Sequence, residues 1–146
     1  MLKTTLRYIT PMALSYWIGS IMFFSFVFAP RVFSVLEKSD AARLQNALFY
    51  PYYFSLCVCA ALVILACFQL GRFMKFGAGL AFLNLAGFLL GYFYLTPTIN
   101  TLFLSSDSAE HMKLLHQGSI LLSLFSLVSG IFLLFSYLKS IRSNEI

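Results

Sequence analysis

IFLLF at residues 131–135 and FLLGYF at residues 88–93 are apolar, or glycine, on consecutive positions. A transmembrane β-strand alternates apolar and polar residues over about ten positions, because its two faces meet different media. A helix in lipid needs no such alternation, so these runs read as membrane-spanning helices. The whole chain agrees: of 146 residues, 60% are hydrophobic and 10% charged, more apolar than a soluble domain needs to fill one core. A hydrocarbon layer about 30 Å thick takes about 20 residues of helix. Four segments qualify, at about 8–36, 52–70, 76–95 and 114–138. They leave no room for a soluble domain, so residues 1–146 read as a single all-α transmembrane domain, an integral membrane four-helix bundle.

The first segment follows Lys3 and Arg7, as a secretory signal would, but its apolar run is too long and has no small-residue cleavage site. It is expected to stay as a span. Basic residues then set the orientation. Lys3, Arg7, Arg72, Lys75, Lys139 and Arg142 lie at the termini and in the second loop, with Glu145 as their only acid. Arg31, Lys38, Arg43 and Lys113 in the other connections are balanced by Glu37, Asp40, Asp107 and Glu110. By the positive-inside rule both termini are expected in the cytoplasm. The net charge of +5 is then a topology signal, and nucleic acid is not an expected partner.

Between the first two spans, SDAARLQNALFYP reads as a short amphipathic helix along the outer interface. Ser39 or Asp40 can cap it, Leu44 and Leu48 share a face, and Pro51 is expected to break it before the second span. Cys57, Cys59 and Cys67 all fall in the second span. Cys57 and Cys59 point to different faces, so they read as small packing residues and no metal site is expected.

Membrane helices associate through small residues that let backbones approach and through polar side chains that bond across. Gly87 and Gly91 form such a pair in the third span, with Asn84 near the same stripe as an interhelical hydrogen bonder. In the fourth, Ser119, Ser123, Ser126 and Gly130 recur on one face with His116 at its outer end, and Ser15 and Gly19 form a shorter pair in the first.

The stretch FFSFVFAPRVFSVL, residues 23–36, interrupts an apolar helix with Ala29-Pro30-Arg31. Proline removes one helical hydrogen bond and clashes with the carbonyl of Phe26, and an arginine at membrane depth must reach water or a partner. At the same level lie Tyr50, Pro51 and Tyr53 entering the second span, Pro97 and Asn100 leaving the third, and His116 and Ser119 opening the fourth. Carbonyls freed by proline persist at depth only against protein or a wet cavity. Together these residues predict an outward-facing polar pocket, shaped by Pro30, Pro51 and Pro97. Arg31 would be counter-ion to a small polar or anionic molecule, and Tyr50, Tyr53, Asn100, His116 and Ser119 its hydrogen-bonding groups.

The patterns W-x-G-x-x-x-F-F and A-P-x-x-F (Trp17 to Phe33), F-Y-P-Y-Y-F (Phe49 to Phe54), P-T-I-N (Pro97 to Asn100) and L-H-x-x-S (Leu115 to Ser119) follow one another along the chain. In this order they resemble the transmembrane-protein-205-like family, domain of unknown function 4149. The resemblance implies a four-helix membrane protein with no settled biochemical activity. A fainter one is to the four-helix haem-associated protoporphyrinogen oxidase and copper-resistance D types, which rely on bundle histidines and in some cases a lysine. Here His116 stands at a span end, His111 and Lys113 nearby in the loop, so no cofactor is expected within one protomer. Haem shared by two protomers through His116 is the alternative.

No carboxylate lies within a span, and HExxH, GxSxG and phosphate-loop patterns are absent. Binding or transport of a small molecule is therefore expected ahead of an enzymatic role. An accessory subunit of a larger membrane complex, packed through the small-residue ridges, is the other alternative. Four spans leave little room for a transport path in a monomer, so a transporter would be a homo-oligomer.

Overall fold

The computed structural model describes residues 2–70, 74–104 and 109–143. Side chains are described for all of these except residues 2, 3, 38, 70, 74, 75, 100, 102–104, 109–112 and 143. The described residues are helical almost throughout, and no strand occurs among them. Four helical stretches are long and apolar enough to cross a membrane: Thr4–Val35, Ser39–Gln69, Phe76–Ile99 and Lys113–Arg142. The protein is a multi-pass, all-α membrane protein.

The first span is built from α1 (Leu2–Met22), a π turn (Phe23–Phe28) and α2 (Ala29–Val35). The second is a single helix, α3 (Lys38–Leu70). The third repeats the plan of the first, with α4 (Met74–Leu90), a π turn (Gly91–Leu95) and α5 (Thr96–Leu104), and the fourth is α6 (Ala109–Ser143). In both broken spans a proline is the second residue after the π turn. The N–H of Ala29 reaches back to the Phe24 carbonyl, and that of Thr96 to Gly91, five residues away in each case. Widening the turn moves the carbonyl four residues back clear of the proline ring, so the helix continues through Pro30 and Pro97.

Pro51 does not end a helix. It sits inside α3, and the amphipathic segment expected between the first two spans runs unbroken into the second. A two-residue connection at Leu36 and Glu37 turns α2 into α3, with the Ala41 N–H bonded to the Glu37 carbonyl at 2.8 Å. So short a link forces the two helices into an antiparallel pair.

In cross-section α3 lies between α4 and α1, α1 between α3 and α6, and α4 meets α6 less extensively to close the bundle. The core is Leu14, Trp17, Ile21, Leu56, Val63, Phe88, Leu133 and Tyr137, all essentially inaccessible. Trp17 packs edge-on against Phe88 with ring centroids 5.2 Å apart. Polar bonds tie the helices where they are tightest. The Trp17 indole N–H donates to Ser126 Oγ at 2.8 Å, Asn84 Nδ2 to Ser129 Oγ at 2.8 Å, and the Tyr137 hydroxyl to the Arg7 carbonyl at 2.6 Å. Asn84 and Ser126 have no accessible surface, so these bonds form without competing water. Small residues do the rest: a Cβ on Gly130 would stand 3.1 Å from Ile18, and one on Gly87 2.6 Å from Leu122. Cys59 and Cys67 are buried as packing residues, and Cys57 is half-buried.

Candidate functional site

The bundle opens at the end away from the start of α1. Along α1 the first span packs on α6, but no Cα of its π turn or of α2 comes within 8 Å of α6 among the described residues. The gap is a cavity of about 690 Å³ with three walls. The first span supplies the stretch from Ile21 to Phe33, α3 supplies Gln45, Phe49, Tyr52 and Tyr53, and α6 supplies one face from His116 to Leu127.

Each wall follows from helical spacing. Gln45, Phe49, Tyr52 and Tyr53 stand at i, i+4, i+7 and i+8 on α3, and His116, Ser119 and Ser123 at i, i+3 and i+7 on α6. Rings fill the corner between α3 and the first span. Phe24 stacks on Tyr52 with centroids 4.6 Å apart and planes 24° apart, and lies 5.4 Å from Phe49. Phe49 stacks on Tyr53 at 5.8 Å. Behind Tyr53 is Gly91, where a Cβ would fall 2.5 Å from the tyrosine ring, so the absent side chain is what seats Tyr53. Ser119 Oγ donates to the His116 carbonyl at 2.8 Å. The rim includes Phe26, Phe33, Ile120 and Leu124, all exposed. Exposed apolar side chains within spans face lipid, so the cavity opens sideways.

The cavity brings together some of the residues expected to form a polar pocket and leaves others out. Pro30, Tyr53, His116 and Ser119 line it. Arg31 does not: its side chain is exposed and outside the lining, though Pro30 beside it belongs to the wall. Beyond the π turn Ala29, Pro30 and Phe33 take the cavity side, and Val32, eight residues after Phe24, is buried outside the lining. Tyr50 also turns away, edge-on against Tyr92 of the third span at 5.4 Å. Pro51 is exposed and Pro97 half-buried in α5, both outside the lining. The side chain of Asn100 lies outside the described residues, as does that of His111.

Phe24, Gln45, Phe49, Tyr52 and Ser123 are cavity residues that the sequence alone did not single out. Their spacing on α3 and α6 was the available signal, hidden on α3 by the expected break at Pro51. The α6 ridge of small residues has two uses: Ser126 and Gly130 are packed under Trp17 and Ile18, while Ser119 and Ser123 face the cavity. Among the described residues, no group of three or more His, Cys, Asp or Glu is placed to hold a metal ion. No arginine, lysine or carboxylate lines the cavity among the described residues.

The model of one family, described as a domain of unknown function (DUF4149), matches residues 12–107. That stretch holds most of the first span, the second and third spans, and two of the cavity's walls. Neither a curated protein nor a solved structure matches the chain.

Proposed function

We propose, for a chain that belongs to the family of domain of unknown function 4149, that it binds an amphiphilic molecule drawn sideways from the bilayer into the cavity between the first, second and fourth spans. One observation carries the reading: an aromatic cavity of about 690 Å³, open toward lipid through Phe26, Phe33, Ile120 and Leu124, has hydrogen-bonding groups on its α3 and α6 walls. A mostly apolar enclosure with a few polar groups suits a ligand that is itself mostly apolar. The geometry supports this better than a small anion, because Arg31 stands outside the lining. With both termini in the cytoplasm, as the distribution of basic residues favours, the cavity belongs to the outer leaflet.

The test is mass spectrometry of the organic extract of purified protein, comparing wild type with Ser123→Phe, which fills the cavity from the α6 wall. An amphiphile retained by wild type and lost in the variant is expected. Equal extracts from both, with both proteins folded, would show that the cavity holds nothing selectively. A C-terminal reporter active only in the cytoplasm checks the orientation. Activity of a reporter that works only outside would move the cavity to the inner leaflet.

A further inference from the structure

We infer that the ligand's head is a flat, uncharged, conjugated ring bearing carbonyl oxygens, that is, a quinone on an apolar tail; this rests on the cavity reading above. Three features of the walls lead there. The rings of Phe24, Phe49 and Tyr52 form a cluster whose planes lie 24° and 35° from that of Phe24. A flat ring laid parallel to them extends the cluster by a layer and gains stacking, whereas a disordered acyl chain has no plane to match. Hydrogen-bond donors stand on opposite walls, among them the Gln45 amide on α3 and the His116 imidazole and Ser123 hydroxyl on α6. None of these three side-chain groups has a hydrogen-bond partner among the described residues. Carbonyl oxygens at opposite edges of a ring call for donors on both sides, and an imidazole N–H supplies one. Finally, no arginine, lysine or carboxylate lines the cavity among the described residues, so a phosphate or ammonium head in it would lack a fixed counter-charge, while a carbonyl needs only a hydrogen bond. The lipid-facing rim lets a long tail remain in the bilayer.

Ubiquinone carrying two isoprene units is titrated into the purified protein in phosphatidylcholine nanodiscs, with binding followed by quenching of intrinsic fluorescence. Trp17 lies one turn before the lining residue Ile21 and reports on the site. A second titration uses phosphatidylcholine brominated on its acyl chains, which quenches if any lipid chain enters. Saturable quinone binding is expected, weakened roughly three- to tenfold in His116→Ala, the loss of one hydrogen bond. His116→Asn, which keeps a donor, should recover part of it. Phe24→Leu should weaken quinone binding while leaving the response to brominated lipid unchanged. Quenching by brominated lipid that ubiquinone does not displace would overturn the quinone while the cavity reading stands. Response to neither probe would overturn both. A Soret band in the purified protein that disappears in His116→Ala would identify haem as the occupant and also overturn the inference.

Discussion

The two ends of this bundle use the same helices and similar residues to opposite effect. Beside the last turns of α1, the serines and glycine of α6 are met by large partners: Ser126 by the Trp17 indole, Ser129 by Asn84, Gly130 by Ile18. One to two turns earlier on the same face of α6, Ser123 and Ser119 look into the cavity, because the first span has diverged from its π turn onward. A stripe of small residues therefore marks a face that admits something. The helix opposite decides whether that is a neighbouring backbone or a ligand.

The contrast is open to attack by substitution, and the tight end should give the larger effects. Trp17→Ala removes a fully buried indole together with its bond to Ser126, and is expected to cost about 3–5 kcal/mol. Phe26→Ala, on the cavity rim and exposed to lipid, should change stability by less than about 1 kcal/mol. Reversible unfolding in mixed detergent micelles compares the two; similar losses would mean that both ends are packed alike.

Gly91 joins the ends, since it seats Tyr53 at the edge of the cavity. Gly91→Ala places a Cβ within the space of the Tyr53 ring and should destabilise by about 1–3 kcal/mol. It should also weaken ligand binding by shifting the α3 wall. Gly79→Ala meets nothing within 4 Å and should be neutral or slightly stabilising. If the two alanine variants melt together, Tyr53 is not held by that contact.

A smaller effect is expected from the polar bonds. In a double-mutant cycle, Asn84→Ala and Ser129→Ala should show coupling of about 0.6 kcal/mol and no more than about 1.7 kcal/mol, the range for interhelical bonds in membranes. Weaker still is the link between Arg31 and His116, which sequence reasoning puts in one site. With Arg31 exposed and outside the cavity lining, Arg31→Ala and His116→Ala should be additive within about 0.5 kcal/mol, in stability and in ligand affinity alike. Clear coupling would mean that the guanidinium reaches the ligand's head.

Several features were legible in the sequence because they depend only on local composition and helical period. Four apolar runs of sufficient length require four spans whatever their neighbours, and the described structure has four such helices. Asn84 within an apolar run has to find a partner on another helix, and Ser129 is that partner. Gly87 and Gly91 mark close approaches, to Leu122 and Tyr53. Part of the cavity lining was legible for the same reason: Pro30, Tyr53, His116 and Ser119 lie at one depth, and depth comes from counting residues along a span.

Direction around the helix axis required the tertiary structure. Pro30 and Arg31 lie at nearly one depth, yet Pro30 lines the cavity while Arg31 is exposed outside the lining. Pro51 could end a helix or be carried within one, and the packing of α3 against α1 and α4 settles it as carried. The cavity arises from the divergence of the first span from α6, a relation between residues some ninety positions apart that no single helix's periodicity records. Composition fixes how deep a residue lies in the bilayer, whereas the rotation and separation of helix axes fix what it touches.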